Sequence, residues 1–385
     1  MAKELDVVVI GGGVAGLTAA AYLAQAGMNV CVLEQQHKPG GLAGAFLRRD
    51  YLFEQAMQWV VGCHPGGTLS TCREELGLNL SFKQLDPCSR QVGPGFDILL
   101  SSDVGQWTNE LCRLFPKEAA AIHRLVGDSL RIFRRIPEAP KKPYEMLTRW
   151  EKLKIGLASL LNVKLYNKYV GLSIQDLLLQ EFKDPQLRTF FYSLCPVGEV
   201  SSILLVTAIG WIKERHLHYP VGGGQAIIDS LRYIIEESGG EVRCGNQVEG
   251  ILMEDGRAAG VLLANQEEVH SSCVVAACDA IQLYSKLIPK GAVPEYVLQD
   301  LGYLEPWPSY FLISLGVDDR ITELASWHHH ITYCPALMDA MESDDPNHWL
   351  LNVVDNSYAD TLHAPSGYRS LTLGAQVSFD YRQRG

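Results

Sequence analysis

Apolar residues at the start of the chain form two continuous runs with a helical pattern between them. Residues 7–10 are a β-branched run, which is typical of a parallel strand covered on both faces. Residues 14–26 are strong helix formers, Gly27 can end a helix, and residues 29–33, apolar after Asn29, form the second buried strand. The first forty residues therefore predict a strand, a helix and a second strand.

The same segment could be mistaken for a membrane span, because residues 7–33 carry no charge. Three consecutive glycines at 11–13 interrupt it, Gln25 and Asn29 are polar, and the acidic Glu4 and Asp6 precede it. These features favour the strand-helix-strand interpretation over a membrane span or a signal peptide.

Helical spacing of apolar positions recurs in the middle of the chain, and a strand-rich pattern follows it. The predicted helices cover residues 107–114, 117–136, 150–161, 174–182 and 201–213, with Ser173 and Asp184-Pro185 as boundary signals. After a helix at 226–238, strands are predicted at 242–244, 248–254, 258–263 and 273–277, and Asp255-Gly256 predicts a two-residue hairpin turn. Mixed strands and helices are expected from about residue 291 onward.

Length and composition narrow the classes of protein. The 385 residues are 47% hydrophobic and 20% charged, so two or three folded domains are expected. A formal net charge of -11 disfavours binding to nucleic acid. Ten scattered cysteines without a C-x-x-C pair predict free thiols in a reducing compartment, cytoplasmic or stromal, rather than a zinc ribbon or a disulfide framework.

One segment has the opposite charge. Residues 129–170 contain ten basic and three acidic residues, a local net charge of +7, and apolar residues such as Trp150 and Leu153 interleave with them. A basic amphipathic stretch can bind an anionic membrane surface, so peripheral membrane contact is one interpretation. A solvated helical face with an apolar underside is the other.

The first candidate site lies between the first predicted strand and helix, where the chain reads G-x-G-x-x-G. The first glycine turns the chain, the second lets the backbone approach a pyrophosphate, and the third allows close packing of the helix. The second strand ends at Glu34, whose carboxylate can accept hydrogen bonds from ribose hydroxyls. The predicted nucleotide-binding residues here are Gly11, Gly13, Val14, Ala15, Gly16 and Glu34.

A second glycine pair favours FAD over NAD. Gly40-Gly41, just beyond Glu34, would bring another stretch of bare backbone to the nucleotide, which a simple nicotinamide site does not need. The segment from Glu34 to Gly44, E-Q-Q-H-K-P-G-G-L-A-G, resembles the second motif of FAD-dependent amine oxidases and phytoene desaturases. Residues 51–62 extend the resemblance, with Glu54 where the family usually has Asp and Ala56 where it usually has Gly. The resemblance adds Gln36, Gly40, Gly41 and Leu42 to the predicted cofactor site.

A later segment resembles the second FAD-binding part of the same superfamily. H-Y-P-V-G-G-G at 218–224, the helix after it and Gly239-Gly240 match that part, in which a valine like Val248 commonly meets the adenine through its backbone. Together with residues 355–367, these motifs are most similar to the carotenoid isomerase and retinol saturase branch. The resemblance implies an α/β fold, in which residues 1–75 plus 215–290 form a discontinuous Rossmann-like FAD domain. Residues 76–214 plus 291–385 would form a mixed, largely helical substrate domain.

The implied activity is that of an FAD-dependent oxidoreductase or redox-assisted isomerase acting on an apolar polyene or isoprenoid. No catalytic residue can be nominated, because the flavin would supply the chemistry. Family members end with an A-G-D-like glycine motif that contacts the flavin, and no such motif occurs before Gly385. The expectation is therefore a chain that lacks the C-terminal FAD-binding segment. A flavin amine oxidase and a nucleotide-binding protein without turnover remain as alternatives.

No metal site is predicted. Three consecutive histidines, 328–330, alternate faces on an extended chain, so only His328 and His330 could share an ion, and a partly exposed strand or loop is favoured. The adjacent Cys63 and His64 diverge in an extended chain, which disfavours a thiolate pair. The chain also lacks the G-x-S-x-G, H-E-x-x-H and G-K-[ST] motifs, which argues against the usual hydrolase, metalloprotease and P-loop classes.

Overall fold

The computed structural model describes residues 5–135, 144–160, 163–197, 199–304, 309–321, 328–341 and 345–377. The chain forms two compact units. The first comprises Met1–Gln58, Thr71–Phe82 and Pro220–Pro308, and the second comprises Trp59–Ser70, Lys83–Tyr219 and Ser309–Gly385.

Strands and helices alternate through both units. The strands are β1 (Leu5–Ile10), β2 (Val30–Glu34), β3 (Ala45–Arg48), β4 (Tyr51–Glu54), β5 (Phe82–Gln84), β6 (Ser89–Gly93), β7 (Phe96–Leu100), β8 (His218–Pro220), β9 (Glu241–Cys244), β10 (Val248–Glu254), β11 (Arg257–Leu263), β12 (Glu268–Ala276), β13 (Ser309–Asp318), β14 (His330–Tyr333), β15 (Leu351–Asp355) and β16 (Tyr368–Val377). The helices are α1 (Val14–Gln25), α2 (Thr68–Leu76), α3 (Val104–Leu114), α4 (Ala119–Phe133), α5 (Arg149–Leu160), α6 (Val163–Val170), α7 (Ile174–Glu181), α8 (Pro185–Ser193), α9 (Ile203–Lys213), α10 (Gly223–Glu237), α11 (Ala280–Gln282), α12 (Glu295–Leu301), α13 (Met338–Met341) and α14 (Asn356–Ala359). A π-helical turn, Leu283–Leu287, follows α11 directly.

The first unit is built on a six-stranded sheet in the order β10-β11-β12-β1-β2-β9. Strands β12, β1, β2 and β9 pair in parallel, and β10, β11 and the start of β12 form an antiparallel meander. Side chains of β1 and β2, including Val8 and Cys31, pack with Val248 and Ile251 of the meander in one buried cluster. The predicted strand-helix-strand opening is confirmed, and continuous burial of β2 explains why its sequence does not alternate.

The meander is also confirmed. Its first hairpin turns at Asp255 and Gly256, which have φ angles of 48° and 76°. Two successive positive φ angles are what a two-residue hairpin turn of the primed type requires, and Asp-Gly satisfies this with little strain. The sheet therefore ends in the hairpin that the sequence predicts.

The second unit combines a six-stranded sheet, in the order β13-β16-β15-β14-β6-β7, with most of the helices of the chain. The helices predicted between residues 107 and 213 are present as α3, α4, α5, α7 and α9. Ser173 caps α7 by accepting a hydrogen bond from the Asp176 amide, and Asp184 caps α8. Strands were expected from about residue 291 onward, but the sheet itself was not predicted, because it joins strands from 309–377 to strands from residues 89–100.

The two units differ from the predicted domains at four places. Residues 215–219, expected in the FAD domain, belong to the second unit. Residues 59–70 belong to the second unit, where Val60 and His218 exchange backbone hydrogen bonds of 2.8 and 2.9 Å. Residues 76–82 belong to the first unit, to which α2 is tied by the 2.6 Å hydrogen bond from Tyr22 Oη to Glu75. Residues 291–308, expected in the substrate domain, belong to the first unit, since the chain reaches the second sheet only at β13.

Candidate cofactor site

The first glycine of the G-x-G-x-x-G motif ends β1 in a conformation that few other residues adopt. Gly11 has a φ angle of +105°, and its amide donates a 2.9 Å hydrogen bond to the carbonyl oxygen of Leu33. A Cβ on Gly11 would lie 2.6 Å from the carbonyl oxygen of Ala277, which is too close for any side chain. The tight turn predicted at this position is therefore confirmed.

The other two glycines of the motif have different structural roles. A Cβ on Gly16 would overlap the carbonyl oxygen of Gly11, so Gly16 allows α1 to pack against the end of β1. A Cβ on Gly13 would meet no protein atom within 4 Å, and Gly13 has an ordinary φ angle of -77°. Gly16 is thus required by the fold, whereas Gly13 leaves open space beside the backbone.

That open space lies at the start of α1. Gly13 is the N-cap and supplies no side-chain hydrogen bond, and the first intrahelical bond runs from the Leu17 amide to the Gly13 carbonyl oxygen. The preceding amides, including those of Val14 and Ala15, have no partner four residues earlier in the helix. Together with the helix dipole they favour an anion such as a pyrophosphate.

Glu34 ends β2 with a buried carboxylate that organises the first turn. Its Oε2 accepts a 2.7 Å hydrogen bond from the Gly12 amide, and its Oε1 accepts a 2.8 Å hydrogen bond from the Gln36 amide. Each carboxylate oxygen retains a second lone-pair site that a ribose hydroxyl could use. Ribose binding by Glu34 remains a prediction, and the structure adds a second role as an anchor for the loop backbone.

The second glycine pair lies directly beside the first turn. The Gly40 amide donates a 2.8 Å hydrogen bond to the carbonyl oxygen of Gly12, and Gly40 forms an isolated bridge with Gly13. Gly40 and Gly41 have φ angles of 147° and 54°, so glycine suits both positions. The bare backbone of both glycine motifs is thus brought to one place.

Glu54, which departs from the family pattern, has a structural partner in the same unit. Its side chain is buried, and Oε1 accepts a 3.0 Å hydrogen bond from the amide of Gly224 at the start of α10. The longer Glu carboxylate therefore joins β4 to the Gly-rich turn at 222–224.

A cleft of about 1200 Å³ brings most of the predicted residues together within the first unit. This volume exceeds the ~300–1,000 Å³ typical of small-ligand sites and suits a dinucleotide. The predicted residues that line it are Gly11, Gly13, Glu34, Gln36, Gly41, Leu42 and Val248. The remaining predicted residues, Val14, Ala15, Gly16 and Gly40, do not line it; Gly16 and Gly40 support its walls.

The cleft also contains residues that the sequence did not single out. Several of them follow the carboxyl ends of β9 and β12, which lie on either side of β1 and β2, or belong to the segment after β12. Ligands of parallel sheets bind at the carboxyl ends of the strands. The ends of the predicted strands could therefore have pointed to these residues in the sequence. These additional lining residues include Asn246, Ala277, Cys278, Asp279, Gln282 and Lys286.

The histidine clusters outside the cleft have polar or aromatic partners in the second unit. His330 is buried, and its Nδ1 lies 2.7 Å from Ser89 Oγ. Burial and the neighbouring His329 lower the pKa of His330 to about 3. His64 stacks on His216 with ring centroids 3.7 Å apart. The described residues contain no cluster of three or more His, Cys, Asp or Glu side chains arranged to hold a metal ion.

The basic segment is partly outside the described residues. In the part that the structure describes, Met146, Trp150 and Leu153 are 71%, 74% and 50% exposed. Within the described ranges, no helix combines the length and the apolar character needed to cross a bilayer.

Comparison with known proteins decides the family. Residues 14–366 match the family described as flavin containing amine oxidoreductase. The chain belongs to this family. The predicted family, the α/β flavoprotein fold and FAD as the cofactor are confirmed, and the open backbone at Gly13 and the carboxylate of Glu34 fit that cofactor.

Similar curated proteins act on polyenes according to their names. Prolycopene isomerase of Daucus carota is 26% identical over 344 residues, covering 85% of this chain and 55% of the relative. All-trans-retinol 13,14-reductase of Danio rerio is 28% identical over 350 residues, covering 84% and 55%. The phytoene desaturase (neurosporene-forming) of Cereibacter sphaeroides is 26% identical over 285 residues, covering 73% and 54%. The chain spans about half the length of these relatives.

Solved structures with the same fold include oxidoreductases. An oxidoreductase from Methanosarcina mazei superposes with a TM-score of 0.68 at 20% identity, covering 99% of this chain and 81% of that protein. A putrescine oxidase bound to putrescine gives a TM-score of 0.64 at 16% identity, with coverage of 99% and 77%. At these identities the likeness concerns the fold alone.

Proposed function

We propose that this chain belongs to an FAD-dependent oxidoreductase or redox-assisted isomerase that acts on an apolar polyene, such as a carotenoid or a retinoid. The observation that carries the proposal is its similarity, over 73–85% of its length, to three kinds of protein named for polyene substrates. The cofactor cleft of the first unit supports it, because its volume and the two glycine turns at its wall suit a dinucleotide.

The chemistry itself would come from FAD, which accepts and donates hydride at N5 when bound. The residues of this chain would hold the cofactor. The α1 amides would bind its pyrophosphate, the open side of Gly13 would admit it, and the Glu34 carboxylate would accept ribose hydroxyls. No acid or base of the chain is assigned to the reaction.

An apolar substrate suits the sheet of the second unit. Ile331, Val353, Leu373 and Ile313 are paired across four neighbouring strands, so they form one row on the same face. Ile313 is exposed and the other three are partly exposed, although all four are apolar. Contiguous exposed apolar surface commonly marks a binding region, and a hydrocarbon chain can lie along it without losing polar contacts.

The substrate would be collected at a membrane surface. Residues 129–170 carry the local net charge of +7, and exposed Trp150 and Leu153 lie beside basic residues on α5. Basic side chains attract anionic lipid head groups and the apolar ones insert between them, so this segment would bind an anionic bilayer peripherally.

A reducing compartment, cytoplasmic or stromal, is the corresponding location. All ten cysteines are free thiols, and three of them, Cys31, Cys88 and Cys334, are buried. Burial raises the pKa of the Cys31 thiol to about 11, which keeps it protonated and unreactive.

The experiment is a direct assay of the purified chain. The chain is titrated with FAD by absorption and fluorescence and incubated separately with prolycopene, phytoene, all-trans-retinol and putrescine under oxidising and reducing conditions. We expect stoichiometric FAD binding and the conversion of at least one polyene. Chromatography of the products measures the conversion. Conversion of putrescine alone would identify an amine oxidase, and FAD binding without any turnover would contradict a catalytic role for this chain.

A further inference from the structure

The charges that line the cofactor cleft are unfavourable for FAD. Three carboxylates line it, those of Glu34, Glu249 and Asp279, against two lysines, Lys38 and Lys286. The pyrophosphate of FAD would add two negative charges at neutral pH. Besides the amides at the start of α1, only these two lysines can offset that charge among the described residues that line the cleft.

Two of the three carboxylates are engaged with backbone amides. Glu34 accepts hydrogen bonds from Gly12 and Gln36, and Asp279 caps α11 through a 2.8 Å hydrogen bond from the Gln282 amide to its Oδ1. Among the residues that the structure describes, Lys286 forms no salt bridge or side-chain hydrogen bond. Its ammonium group is thus available to a ligand.

The local fold fixes the position of Lys286. It belongs to the π-helical turn Leu283–Leu287, whose Leu283 and Leu287 side chains pack against the core of the first unit. The turn is closed by a 3.0 Å hydrogen bond from the Ile288 amide to the Leu283 carbonyl oxygen. π-Helical turns are rare overall, and those that occur are often found at functional sites. This one presents Lys286, and Gln282 four residues before it, to the cleft.

We infer that Lys286 is a further cofactor-binding residue whose ammonium group offsets the charge of the FAD pyrophosphate. This inference rests on the proposed function of the cleft. A lysine is a compact, flexible point charge with three donors, which suits a phosphate that lies at the wall of a cleft rather than in a closed pocket. The residue would give the site a preference for ligands that carry a diphosphate.

The test compares Lys286→Ala with Lys290→Ala, a matched exposed lysine four residues later that does not line the cleft. The affinity for FAD is measured by fluorescence titration at low and high ionic strength, with ADP and adenosine as competing ligands. Lys286→Ala should weaken FAD and ADP binding about tenfold at low salt, with a smaller loss at high salt, and should leave adenosine binding unchanged. Lys286→Arg, which keeps the charge, should restore most of the affinity.

The outcomes separate this inference from the proposed function. If the unaltered chain binds FAD and Lys286→Ala binds it within twofold, Lys286 has no role, although the cleft remains the cofactor site. An equal loss in Lys290→Ala, or an equal loss for adenosine, would also overturn the inference. If the unaltered chain does not bind FAD at all, both the inference and the proposed function fail.

Discussion

The amide of Gly12 donates a 2.7 Å hydrogen bond to Oε2 of Glu34, and this bond joins the first glycine turn to the end of β2. The two residues also pack closely, since a Cβ on Gly12 would lie 3.0 Å from the Glu34 Cβ. The carboxylate that is predicted to bind the ribose is therefore the same group that holds the phosphate-binding turn in place. Loss of Glu34 should affect both the ligand and the loop.

Glu34→Ala should weaken FAD binding by about 1.5–3 kcal/mol, because charge-assisted hydrogen bonds to the ribose are lost. It should also lower the free energy of unfolding by about 1–3 kcal/mol, because the amide of Gly12 loses its buried acceptor. Fluorescence titration with FAD and urea denaturation of the apoprotein measure the two effects. Glu237→Ala, on the exposed end of α10, is the control and should change neither value. Unchanged FAD affinity in Glu34→Ala would show that the ribose lies elsewhere.

Replacing two glycines of the same motif by valine should have different effects on stability and on FAD binding. Gly13→Val should fold normally, because a Cβ there meets no protein atom within 4 Å, but its side chain should occupy the space of the pyrophosphate and abolish FAD binding. Gly16→Val should destabilise the apoprotein, because its side chain would overlap the Gly11 carbonyl oxygen. Thermal unfolding and FAD titration distinguish the pair. If Gly13→Val binds FAD with normal affinity, the cofactor does not pass over this turn.

Strands β1 and β2 could be predicted because they are covered on both faces. Such strands are continuous apolar runs, and the glycine turn and Glu34 mark where they end. The roles of Gly11 and Gly16 also follow from spacing alone. Lys286 could not be found in this way, because only folding brings the π-helical turn after β12 to the carboxyl ends of β1 and β2.

The sheet of the second unit, in contrast, could not be predicted from the sequence. Its strand β14 pairs in parallel with β6, which lies more than two hundred residues earlier in the chain. Such pairings depend on tertiary contacts that local patterns do not encode. Its strands are also half-exposed and carry polar residues such as Gln91 and Asn352 on the buried face, so an apolar alternation is not visible.

The basic segment should direct the chain to anionic membranes. In flotation assays with vesicles that contain phosphatidylserine, the chain should rise with the vesicles at low salt and less so at high salt. Lys152→Glu combined with Lys154→Glu should reduce the affinity for the vesicles by about thirtyfold, because two basic residues near the surface, each worth ~1 kcal/mol, are lost. Lys117→Glu combined with Lys183→Glu is the matched control outside the segment. A chain that stays at the bottom of the gradient at both salt concentrations would contradict membrane contact.

His330 should make the second unit sensitive to acid. Nδ1 of His330 lies 2.7 Å from Ser89 Oγ, which also accepts a 2.8 Å hydrogen bond from Gln91 Nε2, and burial keeps the ring neutral. The pKa of His330 is about 3 in the fold and about 6.5 in an unfolded chain, so the unfolded chain binds the extra proton. Stability should therefore fall below pH 6.5, by about 1.4 kcal/mol per pH unit from this residue, down to about pH 3.

Urea denaturation at pH 7, 6 and 5 measures this dependence. His330→Gln, which keeps a polar hydrogen-bonding group beside Ser89 but cannot titrate, should flatten the loss of stability between pH 7 and 5. His270→Gln replaces an exposed histidine and should leave the loss unchanged. An identical pH profile in His330→Gln would show that other groups control the acid sensitivity.

Strand β13 should make the chain self-associate. It lies at the edge of the second sheet, where β16 is its partner, and Phe311, Ile313 and Leu315 on one face are 59%, 44% and 41% exposed. An apolar edge strand with unpaired backbone groups is a template for pairing with another chain, and charged residues on such strands prevent it.

Phe311→Lys combined with Ile313→Lys should therefore lower the apparent molecular mass measured by light scattering during gel filtration. Tyr303→Lys, which removes one of the most exposed aromatic side chains of the first unit, is the control and should leave the mass unchanged. If the double variant associates as strongly as the unaltered chain, β13 is not the contact.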